Sequence, residues 1–272
     1  MKKVFLWFFS IMILLGLLTA HVHAEKKTYS WYCKHEKDHV QPKAPPELAF
    51  IGQHNGYYID NAHKRIDDND KVIYLTFDAG YENGNVAKTL DILKEKNVPG
   101  AFFILRTLID KNPELVKRIH AEGHLLCNHT CSHKDMSKVG DSELIGELSQ
   151  LETLCMDQLG IEMAKYYRPP EGRFSEDNLI AADKHGYQTI FWSFAYPDWD
   201  NNKQMSTEKA KKIILENVHN GEVMLLHPTS ATNAQILGEV IELLKADGYR
   251  FGCLDELVKN AKETNENART QT

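Results

Sequence analysis

Short apolar runs alternate with amphipathic segments along most of the chain. The apolar runs predict seven strands: Val72–Phe77, Gly100–Leu105, His124–Asn128, Lys165–Tyr167, Thr189–Phe194, Val223–Leu226 and Tyr249–Cys253. The intervening segments predict six helices: Asn85–Lys96, Pro113–Ala121, Asp141–Leu159, Glu176–His185, Thr207–His219 and Asn233–Asp247. Strands that alternate with helices are typical of a parallel sheet. The pattern therefore predicts an α/β fold.

Two arrangements of such a sheet are possible, a doubly wound open sheet and a β/α barrel. The doubly wound nucleotide-binding proteins carry a glycine-rich loop after the first strand, and Gly80 and Gly84 do not fit its G-x-G-x-x-G spacing. A single β/α barrel takes about 250 residues, close to the 272 residues of the chain. We favour a distorted, incomplete (β/α)7 barrel.

The N-terminus has the features of a secretory signal. Lys2 and Lys3 precede the apolar run Val4–Ala20, and small residues lead up to Ala24. We predict a signal peptide over residues 1–24 with cleavage after Ala24. An uncleaved anchor is the alternative, because a run of this length lies at the lower limit for spanning a bilayer. Either way, the working domain is expected outside the cytoplasm, with no stable membrane span after cleavage.

The remaining chain divides into three parts. Residues 25–70 are polar and interrupted by prolines, and the aromatic cluster Tyr29–Tyr32 is expected to pack this arm onto the domain. The domain covers residues 71–260. Residues 261–272 form a polar tail, and we expect the end of the chain to be frayed from Asn260 onwards.

Charge and cysteine content narrow the possibilities further. A net charge of -6 argues against broad nucleic-acid binding. The five cysteines allow a disulfide in an oxidising compartment, but their spacing does not give its connectivity. Cys127 and Cys131 flank His129, a pattern that zinc sites share. Cys127 lies in a predicted strand and is expected to point into the core, so we do not count it as a ligand.

Polar side chains follow five of the predicted strands. They are Asp78, Asn128–His133, Arg168–Gly172, Tyr196–Trp199 and His227. Taken alone, Asp78 is an ordinary turn residue between a strand and Gly80. In a β/α barrel, however, the carboxyl ends of the strands meet at one mouth, where active sites form. The five groups together favour a catalytic site.

Each of these groups has a structural and a functional interpretation. His129 and His133 are either surface histidines or, being four residues apart, two ligands of one metal ion. Arg168 precedes two prolines that restrict its backbone, which suits an arginine that holds a carboxylate. His227 follows a buried strand and is either a core histidine or a proton donor. Asp198 is either a turn residue or the group that orients the His227 imidazole.

Five ordered motifs extend from about residue 72 to residue 257: TFDAG, HTCSH, RPPEG, PDW and LLH. With them the sequence resembles the polysaccharide deacetylases of carbohydrate esterase family 4, the NodB-homology domain. The extended TFDAGYENG motif and the Ser30–Tyr32 arm resemble the sporulation-linked type. Enzymes of that type deacetylate N-acetylmuramic acid on the way to the muramic δ-lactam of spore cortex peptidoglycan.

The resemblance implies a division of the proton chemistry. Asp78 matches the general base that activates water, and Arg168 matches the arginine that holds this base. His227 matches the general acid that protonates the leaving amine, and Asp198 matches the acid that tunes it. The backbone N–H of Glu171 falls where the family has an oxyanion donor.

The resemblance also implies a divalent metal, zinc or another, with His129 and His133 as ligands. The family's third ligand is an aspartate next to the base, and here that position is Ala79, which cannot ligate. A rearranged carboxylate, Asp78 or Glu82, is one substitute, and water or substrate is another. We therefore expect that metal binding is weak or that the metal matters less than in the wider family.

Leu225 and Trp199 match residues that line the pocket for the acetyl methyl group. Glu171 differs from the aromatic or basic residue that relatives often have, so its side chain is expected to affect which glycan fits. The predicted function is N-deacetylation of N-acetylmuramic acid in peptidoglycan strands by a secreted or wall-associated monomer. The rivals are an N-acetylglucosamine deacetylase of peptidoglycan or chitin and, because of Ala79, a non-catalytic glycan-binding protein.

Overall fold

The computed structural model describes residues 26–64 and 69–270. The predicted signal peptide and its cleavage site lie outside these residues. Among the residues that are described, no helix combines the length and apolar character needed to cross a membrane.

Ten strands and eight α-helices make up the described chain. The strands are β1 (Thr28–Ser30), β2 (Gly56–Tyr57), β3 (Lys71–Ala79), β4 (Ala101–Ile104), β5 (Leu125–Asn128), β6 (Tyr166–Tyr167), β7 (Arg173–Ser175), β8 (Gln188–Ile190), β9 (Glu222–Leu226) and β10 (Tyr249–Phe251). The helices are α1 (Asn85–Lys96), α2 (Arg106–Lys111), α3 (Pro113–Ala121), α4 (Asp141–Leu159), α5 (Glu176–Lys184), α6 (Thr207–Asn217), α7 (Ala231–Ala246) and α8 (Leu254–Thr270).

Eight strands form one parallel sheet. Its order is β10-β3-β4-β5-β6-β8-β2, and β9 also pairs with β3. A single parallel bridge between Phe194 and Met224 links the segment after β8 to β9, so the sheet curls towards its own edge. The predicted incomplete barrel is confirmed.

Strand β3 pairs with β4, β9 and β10, and it sets the direction of the site residues. Its odd-numbered residues, Ile73 to Ala79, pack in the cluster formed with the helices. Val72 and Tyr74 instead pack in the cluster inside the curled sheet. Because successive side chains of a strand alternate between its faces, Asp78 belongs to the inner set and Ala79 to the outer one.

The structure differs from the elements predicted by the hydrophobic pattern, which also lack the short strands β1, β2 and β7. Strand β8 ends at Ile190, and of the predicted extension to Phe194 only the bridge at Phe194 remains. The pattern missed α2, a helix of six residues. The polar end, expected to be frayed, is part of helix α8 as far as Thr270.

The N-terminal segment packs on the sheet through both backbone and side chains. Strand β1 pairs antiparallel with β7. Trp31 is buried and its Nε1–H donates to the Trp192 carbonyl at 2.9 Å. Tyr32, which was expected to pack with it, is instead 52% exposed. The boundaries of leader, arm, domain and tail stay predictions.

All five cysteines lie in the described chain and are unpaired. Cys127 is fully buried in the inner cluster, as its place in a strand predicted. Cys33 and Cys131 are half-buried, and Cys253 is exposed.

Candidate active site

Asp78 lies at the end of β3 and is held by Arg168. Arg168 is fully buried, and its Nη1 donates to Asp78 Oδ1 at 2.8 Å. The guanidinium also donates to Thr76 Oγ1 at 2.9 Å and to the carbonyls of Ile190 and Phe191 at 3.0 and 3.2 Å, so it has one orientation. Burial raises the pKa of Asp78, but the Arg168 charge and the nearby imidazoles outweigh it and hold the pKa below its usual range. Asp78 is therefore a carboxylate at neutral pH.

His129 lies beside this ion pair in a fixed tautomer. Its Nδ1–H donates to the Arg168 carbonyl at 2.9 Å, and its Nε2 is 3.6 Å from Asp78 Oδ2. Burial lowers the pKa of His129 to about 4. The ring is thus neutral, with the Nε2 lone pair free towards Asp78.

His133 is brought back to His129 by a tight loop. Thr130 and His133 both have left-handed backbone angles, with φ of 72° and 57°. The two imidazole centroids are 5.1 Å apart. Glu147 of α4 holds this loop, since its carboxylate accepts hydrogen bonds from Ser132 N at 2.8 Å and Ser132 Oγ at 2.7 Å. Sequence reasoning missed Glu147, whose only signal was an acid on the buried face of a helix.

The donor set for a metal is incomplete. The described residues contain no group of three histidine, cysteine, aspartate or glutamate side chains arranged to hold a metal ion. Ala79 faces the helices, and Glu82, a candidate substitute, instead accepts hydrogen bonds from the backbone of Gly84 and Ala87 at the start of α1. His129 and His133 still offer two imidazoles, whereas catalytic zinc sites use three protein ligands.

The second titratable pair is His227 with Asp198. His227 Nδ1–H donates to Asp198 Oδ1 at 2.7 Å, and the His227 backbone N–H donates to Oδ2 at 2.8 Å. Burial lowers the pKa of His227, but the hydrogen bond to Asp198 and its charge raise it above the ordinary value. Asp198 is buried behind the imidazole and stabilises its protonated form.

Asn233 completes this pair and was not foreseen. It lies in the first turn of α7, where the Ser230 hydroxyl accepts a hydrogen bond from its backbone N–H. Its Nδ2 donates to Asp198 Oδ2 at 2.6 Å and to the His227 carbonyl at 3.2 Å. Its Oδ1 accepts from the Tyr196 hydroxyl. Asn233 therefore holds both members of the pair.

The two pairs face one cavity of about 690 Å³. Asp78, His129, His133 and His227 all line it. Glu171, Leu225 and Trp199 also lie on its walls. The site residues predicted from sequence are thus brought together, with Arg168 and Asp198 behind the residues that they hold. Glu171 has a left-handed backbone, φ 55°, and its carboxylate is 3.2 Å from Arg173 Nε.

Known proteins are similar to this chain in sequence and fold. The family model for polysaccharide deacetylase matches residues 65–190. The chain is 36% identical to the peptidoglycan-N-acetylmuramic acid deacetylase PdaA of Bacillus subtilis over 230 residues, which cover 84% of this chain and 85% of that protein. The chain belongs to the polysaccharide deacetylase family.

Other comparisons of this polysaccharide deacetylase agree. The solved structure of Bacillus subtilis PdaA, a family 4 carbohydrate esterase, matches with a TM-score of 0.79 over 85% of this chain and 97% of that one. A peptidoglycan-N-acetylglucosamine deacetylase of Bacillus cereus is 34% identical over 199 residues, 72% of this chain and 71% of that protein. The predicted family, fold and enzyme class are confirmed, and the roles of single residues stay predictions.

Proposed function

We propose that the enzyme hydrolyses the acetamido group of N-acetylmuramic acid in peptidoglycan strands, a step towards the muramic δ-lactam of spore cortex. The main support for this reaction is that Asp78 and His227 line the same cavity. The pKa of Asp78 is lowered and the pKa of His227 is raised. Titratable groups whose environments separate their pKa values in this way suit an acid and a base. The choice of sugar rests on the similarity to PdaA.

Asp78 acts as the base in this proposal. Arg168 occupies Oδ1, so Oδ2 is the atom that accepts a proton from the attacking water. The hydroxide adds to the acetyl carbonyl carbon, and negative charge develops on the carbonyl oxygen. The backbone N–H of Glu171 is the proposed hydrogen-bond donor to that oxygen. A donor at this position stabilises the negative charge that the oxygen gains in the transition state.

His227 acts as the acid. As the tetrahedral intermediate collapses, the C–N bond breaks and His227 gives its proton to the leaving nitrogen, so that amide and water become amine and acetate. Asp198 stabilises the imidazolium before the transfer, and Asn233 keeps Asp198 in place. Leu225 and Trp199 form the wall against which the acetyl methyl group packs.

His129 and His133 are the proposed ligands of a divalent cation, which would polarise the carbonyl and acidify the water when bound. Neutral His129 with its free Nε2 supports this role. Since Ala79 supplies no carboxylate, we infer that the metal is held weakly. Metal analysis after prolonged chelation tests this inference, and a metal that stays at one per chain would contradict it.

Peptidoglycan lies outside the cell membrane, so we infer that the enzyme works there as a secreted or wall-associated monomer, exported by the signal predicted over residues 1–24. N-terminal sequencing of protein from the culture medium tests cleavage after Ala24. An intact N-terminus in a membrane fraction would favour the uncleaved anchor.

The substrate is tested by mass spectrometry of glycan strands, with and without stem peptides, after treatment with the enzyme. Loss of acetyl from muramic residues is expected, and Asp78→Asn protein is the matched control. The rival substrate is N-acetylglucosamine, favoured by the 34% identity to the Bacillus cereus enzyme. Acetate lost from glucosamine residues alone would replace the muramic proposal with this rival.

A further inference from the structure

Two large aromatic side chains are exposed on the cavity that holds Asp78 and His227. Tyr81 is 45% exposed and Trp199 is 59% exposed, and both line this cavity. Leaving aromatic rings in water forgoes the free energy of burying them. Exposed apolar surface beside a concave site marks a place where a ligand binds.

The loop that carries Tyr81 is held firmly. Asn83 Nδ2 donates to the Thr229 carbonyl at 2.8 Å, and the Glu82 carboxylate accepts from Ala87 N at 3.2 Å. These bonds fasten the loop to α1 and to the segment before α7. Tyr81 is therefore presented at a fixed position, and its exposure does not come from a loose loop.

The loop that carries Trp199 is fixed as well, and it is joined to Tyr81. Gln204 Nε2 donates to the carbonyls of Asp198 and Asp200 at 2.9 and 3.0 Å. Asn201 Nδ2 then donates to the Tyr81 hydroxyl at 2.5 Å. The two loops thus form one rim, and preorganised rings lose little entropy when a ligand packs on them.

We propose that Tyr81 binds glycan by stacking on the sugar next to the one that is deacetylated. This inference rests on the proposed function, because it takes the ligand to be a glycan strand. A pyranose has an apolar C–H face with hydroxyls at its edge, and tyrosine has an apolar ring with one polar end, so the two surfaces match. A cavity of about 690 Å³ is in the range of sites for drug-sized ligands, which leaves room for more than one sugar.

Stacking at a neighbouring position has a specific consequence. On this proposal, a single N-acetyl sugar that fills the position beside Asp78 does not contact Tyr81. A strand of four sugars reaches both. Tyr81 therefore contributes to the affinity for strands and not for the monosaccharide.

The test is calorimetric binding of peptide-free glycan tetramers and of the N-acetyl monosaccharide to the full protein. Tyr81→Ala is expected to weaken tetramer binding about tenfold and to leave monosaccharide binding unaltered. Tyr32→Ala is the matched control, because Tyr32 is 52% exposed, close to the 45% of Tyr81, but does not line the cavity. Melting temperatures of both variants show whether each is folded, and Tyr81→Ser replaces Tyr81→Ala if the latter is not.

Two further variants separate the ring from its hydroxyl. Tyr81→Phe keeps the ring and Asn201→Ala removes only the bond between the loops, so both are expected to bind tetramer more tightly than Tyr81→Ala. If all three weaken binding equally, the hydroxyl bond is what matters and the stacking role is wrong. The stacking role is also wrong if Tyr81→Ala binds tetramer as the wild type does, or if the wild type binds no tetramer.

Acetate release is measured on the same tetramers. Ring-dependent binding without acetate release would contradict the proposed function and leave the stacking role of Tyr81 standing. Release of acetate with no effect of Tyr81→Ala on binding would contradict the stacking role of Tyr81 and leave the proposed function standing. The two proposals therefore fail separately.

Discussion

Replacing Asp198 by asparagine tests the acid pair most directly. The carboxylate accepts three hydrogen bonds: from His227 Nδ1 at 2.7 Å, from His227 N at 2.8 Å and from Asn233 Nδ2 at 2.6 Å. Asparagine keeps the shape but carries no charge, and its NH₂ group must face at least one of these donors. If the amide oxygen stays on Nδ1–H, the NH₂ group meets both of the others.

The expected effect follows from these contacts. Without the charge of Asp198, burial dominates and lowers the pKa of His227. A hydrogen bond to a charged group contributes about 1.5–3 kcal/mol, and a positioned general acid contributes roughly 10²–10⁴-fold in rate. We expect kcat/KM of Asp198→Asn to fall about 10²- to 10³-fold.

The pH profile gives the decisive readout. His227 must be protonated to act as the acid, so activity is lost as the pH rises through its pKa. A lower pKa moves that loss to lower pH. Acetate release measured from pH 5 to pH 10 should therefore show the alkaline limb of Asp198→Asn displaced towards acid relative to the wild type.

Asp200→Asn is the matched control, because Asp200 lies on the same loop. Its carboxylate accepts a hydrogen bond from Asn202 N at 2.9 Å and lies 3.9 Å from Lys203 Nζ, and neither partner belongs to the acid pair. It should leave both rate and pH profile as in the wild type. If Asp198→Asn loses rate with no displacement of the alkaline limb, Asp198 does not act through the pKa of His227.

Four other substitutions have defined outcomes. Asp78→Asn should reduce acetate release at least about 10³-fold with the fold retained by circular dichroism; unchanged release would remove Asp78 as the base. Asn233→Ala should lower kcat about tenfold and stability by roughly 1–3 kcal/mol in urea unfolding, since Asp198 and the Tyr196 hydroxyl each lose a partner; wild-type values for both would contradict its positioning role. Glu222 is fully buried, and burial raises its pKa well above the usual value. Above the usual glutamate range Glu222 ionises only in the unfolded chain, so the free energy of unfolding falls as the pH rises. Glu222→Gln should therefore stabilise the protein by on the order of 1–2 kcal/mol at pH 8 and by less at pH 4.5, and equal effects at both pH values would refute this. Ala79→Asp places a carboxylate on the outer face of β3 and should lower the melting temperature of metal-free protein, and an unaltered melting temperature would show that the side chain turns into the cavity.

Helices were predictable where local signals coincide with the hydrophobic period. The predicted limits of α1, α3 and α4 are those of the structure. Helix α8 was missed because its polar residues outnumber its apolar ones, although Leu254, Leu257, Val258 and Ala261 follow helical spacing and pack in the inner cluster. This narrow apolar stripe is sufficient for a helix only because the curled sheet provides a surface for it to pack against.

Site residues were predictable where they lie at strand ends or in motifs. Asp78 and His227 follow buried strands, and together with the polar groups at the other strand ends this position indicates a barrel mouth. Asn233 and Glu147 act from helices, through tertiary contacts that no sequence spacing reveals. Tyr81 follows the first motif closely, but its exposure and its bond to Asn201 depend on how two separate loops meet.

Ala79 supplies no carboxylate to the cavity, so the proposed chemistry depends on one oxygen of Asp78. Arg168 occupies Asp78 Oδ1, so Oδ2 is the oxygen left for catalysis, and it lies 3.6 Å from His129 Nε2. Two ligands about 2.0–2.1 Å from one tetrahedral zinc ion lie about 3.3 Å apart, so this pair already has nearly that spacing. A metal held by the histidines would therefore compete with the proton of water for Oδ2. In the proposed mechanism, a tightly bound metal would hinder the base, which is a physical reason to expect weak metal binding.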